Sequence, residues 1–219
     1  MHRIGILADK LVYPDTGACV YCNREGLVVE DGLCPDCRKK EEAQRRPSAL
    51  AYHGALVCYA PFFYAGVVQD LILRYKFKNA RWMASYMAKK MWDSLKDLAE
   101  FDVITCVPLH KKRRKWRGYN QAQLLAEEIS RLSGKPYREM LFRHRNTKQQ
   151  SLLSAAERLE NVKDAFVPIL GADVGGKRVL LVDDVTTTGS TLLACNAALK
   201  KLGVKRVEAA VFAVPEEEG

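Results

Sequence analysis

Val179-Leu180-Leu181-Val182-Asp183-Asp184-Val185-Thr186-Thr187-Thr188-Gly189-Ser190-Thr191 is the stretch whose reading decides the fold. With Arg178, its first four residues make a continuous apolar run, the pattern of a strand buried on both faces of a sheet. Two adjacent carboxylates follow, then hydroxylated residues around one glycine, then a helix predicted over 191–202. Ligands of parallel sheets bind beyond the carboxyl ends of the strands, so chemistry is expected at this turn. The turn has the composition of a phosphate cradle. Backbone N–H groups at the helix N-terminus and the hydroxyls of Thr186, Thr187, Thr188, Ser190 and Thr191 can surround a phosphate, and Gly189 lets the backbone approach closely. Asp183 and Asp184 would repel that phosphate, so they face something else. Vicinal hydroxyls of a sugar, or a Mg²⁺ shared with a pyrophosphate, are the natural partners. A strand end plus one capping Ser or Thr explains one or two of these residues, not the whole string.

Outward from this turn the chain alternates. Strands are predicted over 56–59, 102–107 (ending at Pro108) and 206–214, and helices over 66–75, 81–98 and 121–132. Such alternation implies an α/β domain, a mainly parallel sheet flanked by helices. The glycine-rich 171–177 segment imitates a Walker A loop, but Arg178 stands where Ser or Thr must ligate Mg²⁺, and the segment precedes its strand. It is read as a loop.

Near the N-terminus, Cys19-Val-Tyr-Cys22 and Cys34-Pro-Asp-Cys37 form two CxxC pairs separated by eleven residues. Each CxxC turn converges two thiolates on one tetrahedral ion, and two turns close the shell, so a structural Zn²⁺ is expected. A redox CxxC usually opens a helix after a strand, which this polar segment does not resemble. Residues 1–46 are therefore read as a metal-organised module and 47–219 as the α/β domain. Cys58, Cys106 and Cys195 lie in apolar runs and are read as buried small hydrophobes.

The 219 residues suffice for one substantial core and a small appendage. At 48% hydrophobic and 28% charged, the composition is that of a soluble globular protein. No apolar stretch approaches the roughly 20 residues a bilayer requires, and the start MHRIGILADKLVYPD makes no secretory signal, so a cytoplasmic location without membrane insertion is expected. Thirty-five basic against 26 acidic residues give +9, favouring anionic partners. Lys111, Lys112, Arg113, Arg114, Lys115 and Arg117 put six cations into seven consecutive residues. Glu216, Glu217 and Glu218 form a solvated acidic tail, and Lys76, Lys78, His110 and His144 are read as surface groups.

The Asp183–Thr191 string resembles the PRPP-binding signature of type I phosphoribosyltransferases, two acidic residues followed by a T-T-G-S/T loop. That resemblance implies PRPP with Mg²⁺ as ligand, Asp183 and Asp184 on the ribose 2′- and 3′-hydroxyls, and residues 186–191 on the 5-phosphate. The order of zinc-type CxxC pairs, the strand ending at Pro108, the R-G-Y-N-Q block at 117–121 and the polar run from Arg143 onward resembles the ComF family. There Tyr119 stands where Phe is common. The resemblance implies that the loop after strand 102–107 receives pyrophosphate, with Arg117 foremost and Lys111, Arg113 and Arg114 beside it. It implies a closing loop over 143–164, with Arg145, Gln150, Arg158 and Asn161 as candidates, and a base-specificity hood within 1–65. The basic block also has the make-up of a single-stranded nucleic-acid surface: Trp116 and Tyr119 interleave with Lys112 and Lys115, combining stacking with phosphate contacts.

Two functions are carried forward. One is a ComF-like competence protein whose PRPP-binding domain acts, with a DNA-uptake helicase as partner, on incoming single-stranded DNA. The alternative is an active phosphoribosyltransferase moving ribose 5-phosphate to a nitrogen acceptor. A PRPP-sensing regulator is a third reading, and oligomeric state is left open.

Overall fold

Apolar runs that offer no polar face to water must be covered on both sides, and this requirement organises the chain. The computed structural model describes residues 18–25, 32–145, 164–171 and 174–216. In order, its elements are α1 (Pro35–Glu42), β1 (Leu50–His53), β2 (Leu56–Tyr59), β3 (Phe62–Phe63), α2 (Gly66–Phe77), α3 (Met83–Leu95), β4 (Val103–Cys106), α4 (Lys111–Arg117), α5 (Gln121–Ser133), β5 (Leu141–Arg143), β6 (Phe166–Pro168), β7 (Arg178–Val182), α6 (Ser190–Lys200), β8 (Arg206–Ala210) and β9 (Ala213–Val214). Five strands form the main sheet in the order β1-β2-β8-β7-β4, antiparallel between β1 and β2 and parallel elsewhere.

β7 runs between β4 and β8, with Val182 opposite both Cys106 and Ala210. Asp183 thus leaves the sheet with a neighbouring strand on each side. On α3, Met83, Met87, Met91 and Leu95 recur at four-residue spacing and are fully buried, and this seam packs against α5, whose Ala122, Leu125, Ala126 and Ile129 face inward. Asp102 anchors the sheet edge by accepting from the Arg178 backbone (2.9 Å) and guanidinium (2.8 Å).

Two expectations are corrected. The strand predicted over 206–214 is broken. β8 ends at Ala210, and the chain passes to β9, which pairs with β3 instead. At the crossing, Phe212 packs on Phe62 at 5.1 Å and its N–H donates to the Asp184 carbonyl. The basic block after β4, expected as a loop, is helix α4. Lys and Arg are good helix formers, His110 Nδ1 caps the start by accepting from the Lys112 N–H, and Gly118 ends it at φ 82.

The cysteine-bearing segment shares the main core, with Val20 and Leu33 buried in it. Glu41 of α1 is buried and accepts from the hydroxyls of Tyr21 (2.9 Å) and Tyr86, with Lys90 at 3.6 Å. No helix among the described residues is long and apolar enough to cross a membrane.

Candidate functional site

The strand–turn–helix from β7 to α6 opens into a cleft of about 350 Å³. Every residue from Asp183 to Thr191 lines it. The turn is held from behind. The Asp183 N–H donates to Ala210 O (3.0 Å) and the Thr186 N–H to Ala213 O (3.3 Å), which fixes the backbone against β8 and β9. Thr186 and Ser190 are buried, Thr187 is exposed, and the Thr188 and Ser190 hydroxyls lie 2.7 Å apart. Gly189 takes φ 73, and a Cβ there would meet the His53 ring at 2.2 Å, so both conformation and space exclude a side chain. α6 begins at the next residue, turning its first-turn N–H groups toward the cleft.

The two aspartates have unlike surroundings. Asp183 Oδ1 accepts from the Asp184 N–H at 2.8 Å. Burial, and then the charge of Asp184, push the Asp183 carboxyl well above the ordinary carboxylate range, although Lys76 pulls the other way. Asp184 is buried and pairs with Lys76 Nζ at 2.9 Å. Lys76 is therefore no plain surface lysine; it is largely buried and lines the cleft from the end of α2.

Cations line the same cleft. Helical phase divides α4 into two faces: Arg113 and Arg117, four residues apart, line the cleft, whereas Lys111, Lys112, Arg114, Lys115 and Trp116 are exposed. Arg117 donates to Gln121 Oε1 at 2.9 Å and stacks its guanidinium over Phe77 at 5.1 Å. Burial, and then the charge of Arg117, lower the pKa of Arg113. Arg143 of β5 also lines the cleft, nearly buried over the Phe166 ring, its pKa lowered by burial and then by Arg113. Arg117 Nε and Gln121 Nε2 are buried donors without a hydrogen-bond partner among the described residues. Crowded guanidinium groups and unpartnered buried donors together mark a place for an anion.

Tyr119, expected to stack on DNA, is corrected. Its ring is buried against Tyr75, Arg81 lies over it at 4.8 Å, and its hydroxyl donates to the Tyr75 carbonyl. It belongs to the core and offers no face to a base. Arg145 is exposed and outside the cleft lining, and Gln150, Arg158 and Asn161 lie outside the described residues. Sequence reading missed Lys76, Arg143 and Gln121. Strand alternation was the available signal for Arg143, since Leu141 and Arg143 point inward and Phe142 outward.

Cys19, Cys22, Cys34 and Cys37 converge, with all four Sγ atoms within 4.8 Å of one another. The Cys22–Cys34 separation is 3.7 Å, close to the edge of about 3.8 Å that a tetrahedron with metal–sulfur bonds of about 2.3 Å requires. Burial raises the Cys19 thiol, but backbone donors from Cys22, Cys34 and Tyr21 outweigh it and bring its pKa down. The cluster can hold a metal ion, and four cysteine ligands would leave no open position for a substrate.

The family model described as "Phosphoribosyl transferase domain" matches residues 80–218. Competence protein F of Haemophilus influenzae is 31% identical across 87% of this chain and 93% of its own length. DNA utilization protein YhgH of Escherichia coli (strain K12) is 31% identical across 88% of each. Competence protein ComFC of Streptococcus pneumoniae is 27% identical across 89% of this chain and 86% of that one.

Proposed function

The chain belongs to the phosphoribosyl transferase family and, within it, to the competence protein F group, and on that premise we propose that its cleft binds PRPP while helix α4 meets single-stranded DNA. The observation that carries this reading is the meeting of unlike halves in one cleft. An acidic pair and a hydroxyl-rich helix start line it together with Arg113, Arg117 and Arg143, with two unpartnered donors at Arg117 and Gln121. PRPP has the matching layout: a 5-phosphate, a ribose with vicinal hydroxyls and a pyrophosphate. The turn at 186–191 takes the 5-phosphate through N–H groups and hydroxyls. Asp183 and Asp184 accept hydrogen bonds from the ribose hydroxyls, most strongly once Asp183 has given up its proton. Arg113, Arg117 and Arg143 neutralise the pyrophosphate. Mg²⁺ accompanies PRPP and shares the pyrophosphate charge.

The outward face of α4 supplies the second partner. Lys111, Lys112, Arg114 and Lys115 surround Trp116, which is 73% exposed and packs against Phe77 at 6.2 Å. Exposed cations around an aromatic ring are the elements of single-strand binding. The names of the relatives, competence proteins and a DNA utilization protein, support this reading, and a cytosolic role beside a helicase partner is part of the proposal. A structural Zn²⁺ completes the cysteine module.

Calorimetry with PRPP and Mg²⁺, followed by single-stranded DNA titration of the same sample, tests the proposal. Saturable PRPP binding that ribose 5-phosphate and pyrophosphate each weaken is expected; no heat at saturating PRPP overturns the cleft assignment. DNA affinity should fall steeply with salt. Pyrophosphate release measured against a panel of nucleobases separates a binding domain from a working transferase.

A further inference from the structure

Helix α2 ends in four consecutive residues that each hold a different part of the molecule. The Arg74 guanidinium donates to the carbonyls of Val20 (3.2 Å) and Tyr21, the two residues between Cys19 and Cys22. The Tyr75 hydroxyl donates to the Gln121 carbonyl at 2.9 Å, at the start of α5. Lys76 Nζ pairs with Asp184 at 2.9 Å, and Phe77 lies on the cleft wall beneath Arg117. Positions 74 and 76 are about 200° apart around a helix axis. One side of α2 therefore grips the cysteine turn while the other reaches into the cleft.

From this geometry we infer that Arg74 is a positioning residue, through which the metal state of the four-cysteine module sets the placement of Lys76 and hence the affinity of the PRPP site. The Val20 and Tyr21 carbonyls meet Arg74 while the CxxC turn keeps its shape; the Asn23 N–H to Cys19 carbonyl and Cys19 N–H to Arg24 carbonyl bonds set that shape, and an ion on the four thiolates would lock it. If the ion is lost, the carbonyls turn away, the end of α2 loses its tether, and the Lys76–Asp184 pair loses its alignment. The link is short and stiff. Arg74 and Lys76 are separated by Tyr75 alone, itself fully buried. This inference rests on the PRPP reading of the cleft and on the metal reading of the cysteines. Coupling between two binding sites is reciprocal, so PRPP must tighten metal binding by the same factor by which metal tightens PRPP.

The test compares full-length protein loaded with Zn²⁺ and protein stripped by chelator dialysis, both in Mg²⁺ buffer, with far-UV circular dichroism to report folding. Stripping should weaken PRPP binding at least about fivefold in the unmodified chain. Zinc-loaded Arg74→Ala should already bind PRPP that weakly, with no further loss on stripping. Arg74→Lys, which keeps the charge but not the fork, should fall between. Wild-type affinity in loaded Arg74→Ala, or an equal loss on stripping in both proteins, overturns the inference. Hydrogen exchange at 183–191 without PRPP gives a second readout. Exchange should be faster in loaded Arg74→Ala than in the loaded unmodified chain, and faster in the latter once stripped. Unchanged exchange overturns the link. If stripping unfolds the chain, the loaded Arg74 variants decide by the same two measurements. Altered exchange in a protein that never binds PRPP upholds the link and removes the PRPP reading instead.

Discussion

The two anion-attracting walls of the cleft are built on different principles. The 183–191 turn is a backbone device. Sheet hydrogen bonds hold it from behind, a left-handed glycine shapes it, and the start of a helix completes it. The α4 wall is a side-chain device, in which long cations on one short helix are sorted by phase into an inward pair and an outward group. A backbone device resists the loss of any one hydroxyl, because N–H groups remain. A side-chain device loses a contact with each truncation. The acidic pair belongs to the first wall but behaves like the second, since its contacts are made by side chains and are lost on truncation.

Four expected outcomes sharpen this contrast, from the largest effect to the smallest. Replacing Asp183 and Asp184 together by Asn should weaken PRPP binding about 100-fold or more, as two charge-assisted contacts are lost. Calorimetry on the folded variant checks this, and affinity within a few-fold of the parent removes the pair from the site. Next, Arg117→Ala should cost PRPP about tenfold, while Lys112→Ala with Lys115→Ala should leave PRPP affinity alone and flatten the salt dependence of DNA binding. Equal effects of both changes on both ligands would mean that α4 does not divide its work by face.

The third outcome concerns pH. Asp183 is held above the ordinary carboxylate range by burial and by Asp184, and it accepts more strongly from ribose hydroxyls when ionised. PRPP affinity should therefore climb as pH rises through that elevated value and level off above it. A flat profile from mildly acidic to mildly alkaline buffer contradicts the role. The fourth is a stability effect of the same group. A carboxyl with a raised folded-state pKa keeps the folded chain more protonated than the unfolded one, so stability falls as pH rises from the unfolded value to the folded one. Asp183→Asn keeps the acceptor for the Asp184 N–H and removes this cost, and should raise the Tm by a few degrees at neutral pH. A Tm lowered at that pH would show the carboxylate to be better satisfied than its surroundings imply.

In the cysteine module the effects are of another kind. Cys22→Ser should release the metal, read by metal analysis, and should loosen the packing of α1 before the main sheet unfolds.

The amino-acid sequence by itself determined the strand–turn–helix that begins at Arg178 and the convergence of the four cysteines. Each is a local object: consecutive residues set the backbone path, and the path places the ligand groups. It also placed the strands Leu56–Tyr59 and Arg178–Val182 at their observed bounds, because continuous apolar runs have one stable use in a sheet. What only the tertiary structure decided is what each long polar side chain faces. Lys76, Arg143 and Gln121 join the cleft, Tyr119 withdraws into the core, and Arg113 parts from its neighbours on α4. Apart from the strand alternation at Arg143, no short pattern encodes these outcomes. A cation's role depends on the charge it meets across the fold, and packing between segments distant in the chain sets that meeting.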